Sequence, residues 1–116
     1  MAATRTVMVE TTLVNGAPVL RVRGDVDLRT SPQLREALLA ALQTSAGMLR
    51  VDLSQVRYMD SSGIATLVEG MQNCMKKGTR LRLFELSAPV RDVFELARLA
   101  TVFEIFPTMR DAVTGL

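Results

Sequence analysis

Apolar and polar positions alternate in short stretches of this chain, and between them apolar residues recur at helical spacing. Residues 6–13, TVMVETTL, are rich in β-branched side chains and alternate roughly, which predicts a strand. Asn15-Gly16 follows, the strongest short signal for a two-residue hairpin. Residues 19–26 supply the returning strand, with Leu20, Val22 and Val26 on one face and Arg21, Arg23 and Asp25 on the other.

Beyond it, Thr30-Ser31-Pro32-Gln33 opens a helix reaching about Thr44. Two caps fit: Ser31 with Pro32 at the first helical position, or Thr30 paired with Gln33 in a capping box. Leu34, Ala37, Leu38, Ala41 and Leu42 form the inward stripe, and Gly47 marks the stop.

A second alternation covers residues 48–53, with Leu49, Val51 and Leu53 opposed to Arg50 and Asp52. The helix expected over about 62–77 buries Ile64, Leu67, Val68, Met71 and Met75. Lys76 and Lys77 suit its negative end, and Gly78 ends it. Residues 80–85 form the next strand, Leu81 and Leu83 inward, Arg80 and Arg82 outward. Ser87-Ala88-Pro89 begins a third helix carrying Val90, Val93, Phe94 and Ala97. Phe103-Glu104-Ile105-Phe106 makes a short last strand, and Thr108 caps a final helix containing Met109, Ala112 and Val113.

This order predicts an α/β fold: an N-terminal hairpin, then parallel strands reached by right-handed crossovers, in a mixed sheet of four to five strands. Parallel strands covered on both faces read as continuous apolar runs, and these alternate with Arg, Asp or Glu. Helices are therefore expected mainly on one face, with the other largely solvated and strand order following the chain. With 116 residues, one domain spanning 1–116 is expected.

Composition narrows the function classes. Apolar residues at 48% and charged residues at 22% fit a folded soluble domain. No apolar run is long enough for a membrane helix, and the first residues lack the apolar core of a signal peptide, so a cytoplasmic protein without membrane insertion is expected. A single cysteine, Cys74, excludes an internal disulfide; without nearby His it reads as a packed thiol. The absence of histidine removes Ser–His and Cys–His nucleophile pairs and most zinc sites. No glycine-rich phosphate loop, metal cluster or catalytic carboxylate pair is present, so neither enzyme activity nor a cofactor or metal is expected. Arg21, Arg23, Arg50 and Arg82 share a sheet face, diluted by Glu10, Asp25 and Asp52, with few aromatics for stacking. A solvated face fits better than a nucleic-acid surface.

One stretch invites chemistry: Met59-Asp60-Ser61-Ser62-Gly63-Ile64-Ala65-Thr66-Leu67. As pattern, Asp60, Ser61 or Ser62 is a helix N-cap. The same hydroxyls are also candidate phospho-acceptors, because the positive dipole end and unpaired amides of a helix start tolerate a phosphate. Phosphorylation would add about −1.5 to −2 charges beside Asp60 and turn away an acidic or an apolar partner surface. The effect would be on binding and not on fold. Residues alone leave Ser61 and Ser62 equivalent.

The stretch from Leu53 to Leu67, LSQVRYMDSSGIATL, resembles the signature of STAS domains, in particular bacterial anti-sigma factor antagonists. Gly24-Asp25-Val26-Asp27 resembles the family's Gly-x-x-Asp turn before its first helix, and residues 87–99 resemble its Ser-Pro…Val…Phe…Leu helix. The resemblance covers nearly the whole chain, in order. It implies a protein that binds an anti-sigma factor, usually also a serine kinase, and so releases a sigma factor. It further implies phosphorylation of the serine directly after the motif aspartate, here Ser61, and restoration by a serine phosphatase. Asp60 would fix the loop and meet the kinase site, Ser62 and Gly63 would begin the helix and border the contact, and Asp25 and Asp27 would extend the recognition surface. Ser62 is then the candidate for the cap. Two other roles occur on this scaffold: a subunit binding the ATPase of a lipid-transport ABC system, and a stressosome-like scaffold. An open sheet edge leaves room for a monomer or a weak dimer.

Overall fold

The computed structural model describes residues 7–114. β1 (Met8–Val14) and β2 (Ala17–Arg23) form the predicted hairpin, antiparallel from Met8↔Arg23 to Val14↔Ala17 without a register shift. Asn15 and Gly16 take φ of 51° and 77°, both positive, as the turn type that matches strand twist requires. Next come α1 (Ser31–Thr44), β3 (Met48–Gln55), α2 (Ser61–Lys76), β4 (Arg80–Phe84), α3 (Ala88–Leu96), β5 (Glu104–Phe106) and α4 (Met109–Thr114). The five strands lie in the order β1-β2-β3-β4-β5, the last four mutually parallel. Thr6, the first residue of the expected strand, lies outside the described residues.

Successive crossovers of one hand through neighbouring strands put their helices on one side. The main core shows it: Leu20, Val22, Leu49, Val51, Leu53 and Leu83 of the sheet pack with Leu34 and Leu38 of α1, Leu67 and Cys74 of α2, and Val90 and Phe94 of α3. α1 and α2 approach closely. A β-carbon on Gly70 would lie 3.1 Å from Leu38 Cδ1.

The second sheet face departs from expectation. It is not largely solvated: Arg50, Asp52 and Arg82 are buried, and Val19, Phe84 and Ala112 form a smaller core there with Val14 and Phe106. The cover is α4. The Ala112 carbonyl near the end of that helix accepts from both Arg50 Nε (3.1 Å) and Arg82 Nη1 (2.9 Å). Arg50 Nη1 also donates to the Val14 carbonyl (3.2 Å), and Arg82 lies over the Phe106 ring, 5.0 Å from its centroid. Burial, and next to it the neighbouring Arg82, pull the Arg50 pKa below its ordinary value. The helix's negative end offsets part of that cost. Arg21 and Arg23 do stay exposed; Arg21 pairs with Asp52 at 3.2 Å.

Two local expectations are also corrected. In the α2 stripe Ile64 and Leu67 are buried and Val68 and Met71 half-buried as expected, but Met75 is 70% exposed, and Gly63, Thr66, Gly70 and Cys74 are buried as well. At the start of α1 neither expected cap forms. Thr30 occupies the cap position without a side-chain capping bond, and Gln33 instead accepts from the Val7 amide at 3.0 Å, tying α1 to the entry of β1. Thr108 caps α4 as expected, accepting from the Asp111 amide at 3.1 Å.

Candidate functional site

The sheet ends β2 and β3 side by side, and the chain after each turns into a helix. Between these two exits a single bridge, Val26↔Met59, holds the loops together. The Val26 amide donates to the Tyr58 carbonyl (2.9 Å) and the Asp60 amide to the Val26 carbonyl (3.1 Å). Val26 and Met59 point into the core, 0% and 2% exposed. Sequence-distant Asp25 and Asp27 thereby reach the segment that opens α2.

The first of these loops is set by Asp27 and Thr30. Thr30 Oγ1 donates to the Asp25 carbonyl (2.7 Å) and accepts from the Asp27 amide (2.9 Å). Asp27 Oδ1 accepts from the amides of Arg29 (2.9 Å) and Thr30 (3.1 Å). Asp27 is therefore buried and shapes the turn, while Asp25 is half-buried at its rim.

Asp60, not Ser62, caps α2. Its Oδ1 accepts from the Ser62 amide (2.8 Å) and, more weakly, from the Gly63 amide (3.4 Å). A carboxylate is a stronger acceptor than a hydroxyl and carries a charge that the helix N-terminus favours. The Ser62 carbonyl accepts from Thr66 Oγ1 (2.9 Å), and its side chain is half-buried. Ser61 is exposed, and no hydrogen bond to its hydroxyl occurs among the described residues. Gly63 is buried against Val26 and Met59. The expected cluster thus separates into an outward part, Asp25, Ser61 and the rim of Ser62, and an inward part, Asp27, Asp60 and Gly63, that holds it in shape.

The cap changes what a phosphate would meet. With the amides of Ser62 and Gly63 already bonded to Asp60, a group on Ser61 Oγ has no vacant pair of helix amides and projects outward beside a carboxylate. Two apolar side chains that the sequence pattern did not single out border this surface. Leu28 is 76% exposed in the first loop and Tyr58 is 49% exposed in the second. Their signal in the sequence is a large side chain inside a polar loop, one position after Asp27 and two before Asp60. Arg29 and Arg57 are exposed in the same loops. Among the described residues no group of three His, Cys, Asp or Glu converges to hold a metal ion, and no helix is long and apolar enough to cross a membrane.

Comparison with known proteins agrees with this geometry. The family model described as "Mlab, STAS domain" matches residues 9–107. An anti-sigma-B factor antagonist of Listeria monocytogenes is 34% identical over 84 residues, covering 72% of this chain and 74% of that protein. The anti-sigma-F factor antagonist RsfB of Mycobacterium tuberculosis is 28% identical over 102 residues, covering 88% and 83%. The crystal structure of an anti-sigma factor antagonist from Mycobacterium paratuberculosis superposes with a TM-score of 0.86 at 27% identity, covering 98% of this chain and 97% of that one. With the five-stranded mixed sheet, the three helices on one face and the Asp-Ser-Ser-Gly start of α2, these likenesses agree that the chain belongs to the STAS domain family, among its anti-sigma factor antagonists.

Proposed function

We propose that the protein binds an anti-sigma factor, one that is also a serine kinase, through the surface formed by Asp25, Leu28, Tyr58, Ser61 and Ser62. Binding in the unphosphorylated state frees a sigma factor. Phosphorylation of Ser61 ends the interaction, and a serine phosphatase restores it. The protein acts in the cytoplasm as a substrate and binding module, not as a catalyst.

The observation that carries this reading is the exposed, unbonded hydroxyl of Ser61 one residue after the Asp60 cap. Its neighbour Ser62 is half-buried, which favours Ser61 as the acceptor. A phosphate there adds charge next to Asp60 and close to exposed Leu28 and Tyr58. An apolar contact made through those side chains would then have to desolvate a dianion. The alternative of ATPase binding in a transport system would use the same surface; the likeness to anti-sigma factor antagonists of Listeria and Mycobacterium favours the sigma-factor reading.

The test is incubation with the cognate kinase and ATP, followed by mass-spectrometric mapping and a binding titration. Phosphate is expected on Ser61. Ser61→Asp is expected to weaken kinase binding at least about tenfold, the scale of one lost charged contact, and Ser61→Ala to retain it. Equal binding of both variants to the kinase would sink the switch.

A further inference from the structure

The two edges of the sheet are built differently. β5 is a three-residue strand, Glu104–Phe106, closed by Pro107, which is how an edge is kept from pairing. β1 is a seven-residue strand, regular along its length, without Pro, Lys or a bulge. Among the described residues β2 is its one strand neighbour, and Met8 and Leu13 stand 60% and 73% exposed on it.

The hairpin fixes which backbone groups that edge offers. In a two-residue turn the flanking residues, Val14 and Ala17, form a hydrogen-bonded pair. By alternation Thr12, Glu10 and Met8 also bond to β2, so the amides and carbonyls of Val9, Thr11 and Leu13 point away from the sheet.

We infer that β1 pairs antiparallel with β1 of a second copy, about a two-fold axis at Thr11, joining two sheets into one of ten strands. The register follows from the strand's own order, Met-Val-Glu-Thr-Thr-Leu-Val. Centred on Thr11, Val9 faces Leu13 of the other copy, Met8 faces Val14, and Glu10 faces Thr12. Every apolar residue meets an apolar one, and Val9, Thr11 and Leu13 exchange about six backbone hydrogen bonds with their counterparts. Each pair also matches in face: Val9, Thr11 and Leu13 lie opposite Val22, Leu20 and Pro18 on the side of the main core, while Met8 and Val14 lie on the side covered by α4. Sliding the pair two residues toward the N-terminus would set Glu10 against Glu10, a like-charge pair that disfavours that register. The interface is isologous and closes at two copies.

The dimer leaves the candidate site free. Met8 pairs with Arg23 at the end of β2 nearest that site, and Val14 with Ala17 at the far end. Antiparallel joining therefore places the two Ser61 surfaces at opposite ends of the joint sheet, so one dimer can hold two partners. This inference does not depend on what that partner is.

The experiment is sedimentation of the full chain from about 1 μM to about 1 mM, a range that spans weak association, with hydrogen exchange at both limits. A concentration-dependent dimer is expected, in which the amides of Val9, Thr11 and Leu13 become slow and those of Glu10 and Thr12 are slow throughout. Thr11→Pro removes an outward N–H and no bond to β2, and Leu13→Lys places a charge on the edge. Each should raise the dimer dissociation constant at least about tenfold. A monomer at every concentration overturns the inference. So does a dimer unaffected by Leu13→Lys, exchange protection on another element, or protection of β1 that appears only on adding another protein.

Discussion

Gly63 occupies a position where a side chain would collide. A β-carbon there would lie 2.5 Å from Met59 Cγ and 2.8 Å from Val26 Cγ1. Met59 can shift its chain; β-branched Val26, 0% exposed, has little room to move. Gly63→Ala is therefore expected to cost about 1–3 kcal/mol, the range of overpacked cores, despite the better helix propensity of alanine. A urea titration with an unchanged slope and a lower midpoint would check it. Wild-type stability would mean that the bridge between the loops yields easily. At this scale the sequence located the motif but divided its roles imperfectly. Ser62 resembled a cap because hydroxyls cap many helices, yet the carboxylate one step before Ser61 holds the amides more strongly. Asp27 resembled a surface residue until its carboxylate closed the turn on Arg29 and Thr30.

At the scale of elements, alternation and helical spacing located the hairpin, the crossovers and the strand order, because each is written in local pattern. The role of α4 was not legible. Arg50, Asp52 and Arg82 alternate with apolar residues, as solvent-facing positions do, and the group that receives both guanidiniums is a backbone carbonyl some thirty or sixty residues away, at Ala112. A carbonyl carries no residue-type signal. The α2 stripe holds at Ile64, Leu67, Val68 and Met71 and fails at Met75 for a related reason: the helix packs on α1 through Gly70, which hydrophobicity does not mark, and leaves Met75 outside. Deleting the chain from Met109 onward should uncover Arg50, Arg82 and Phe84 together. The expected loss is about 3 kcal/mol, from hydrogen bonds to charged groups and apolar area, with the α1 side of the sheet intact. Calorimetry alongside far-UV circular dichroism would read it. An unaltered melting temperature would show that water replaces α4 without cost.

For the molecule as a whole, Cys74 is a built-in reporter. It is 1% exposed between α1, α2 and the sheet, and burial pushes its thiol above the ordinary cysteine range. Labelling by a thiol reagent should be slow in the folded protein and should track the unfolding curve, since no thiolate reaches solvent until the core opens. Rapid labelling in the absence of denaturant would place a local opening along the α1–α2 seam. The same core reaches the candidate surface through Val26 and Met59, and this has a thermodynamic consequence. The bridge between these residues fixes both loops before any partner arrives, so association need not order them and loses little conformational entropy there. A surface preorganised in this way gains affinity without folding on its target. Changes of charge at its rim then act mainly on how fast a complex forms and on how strongly salt slows it.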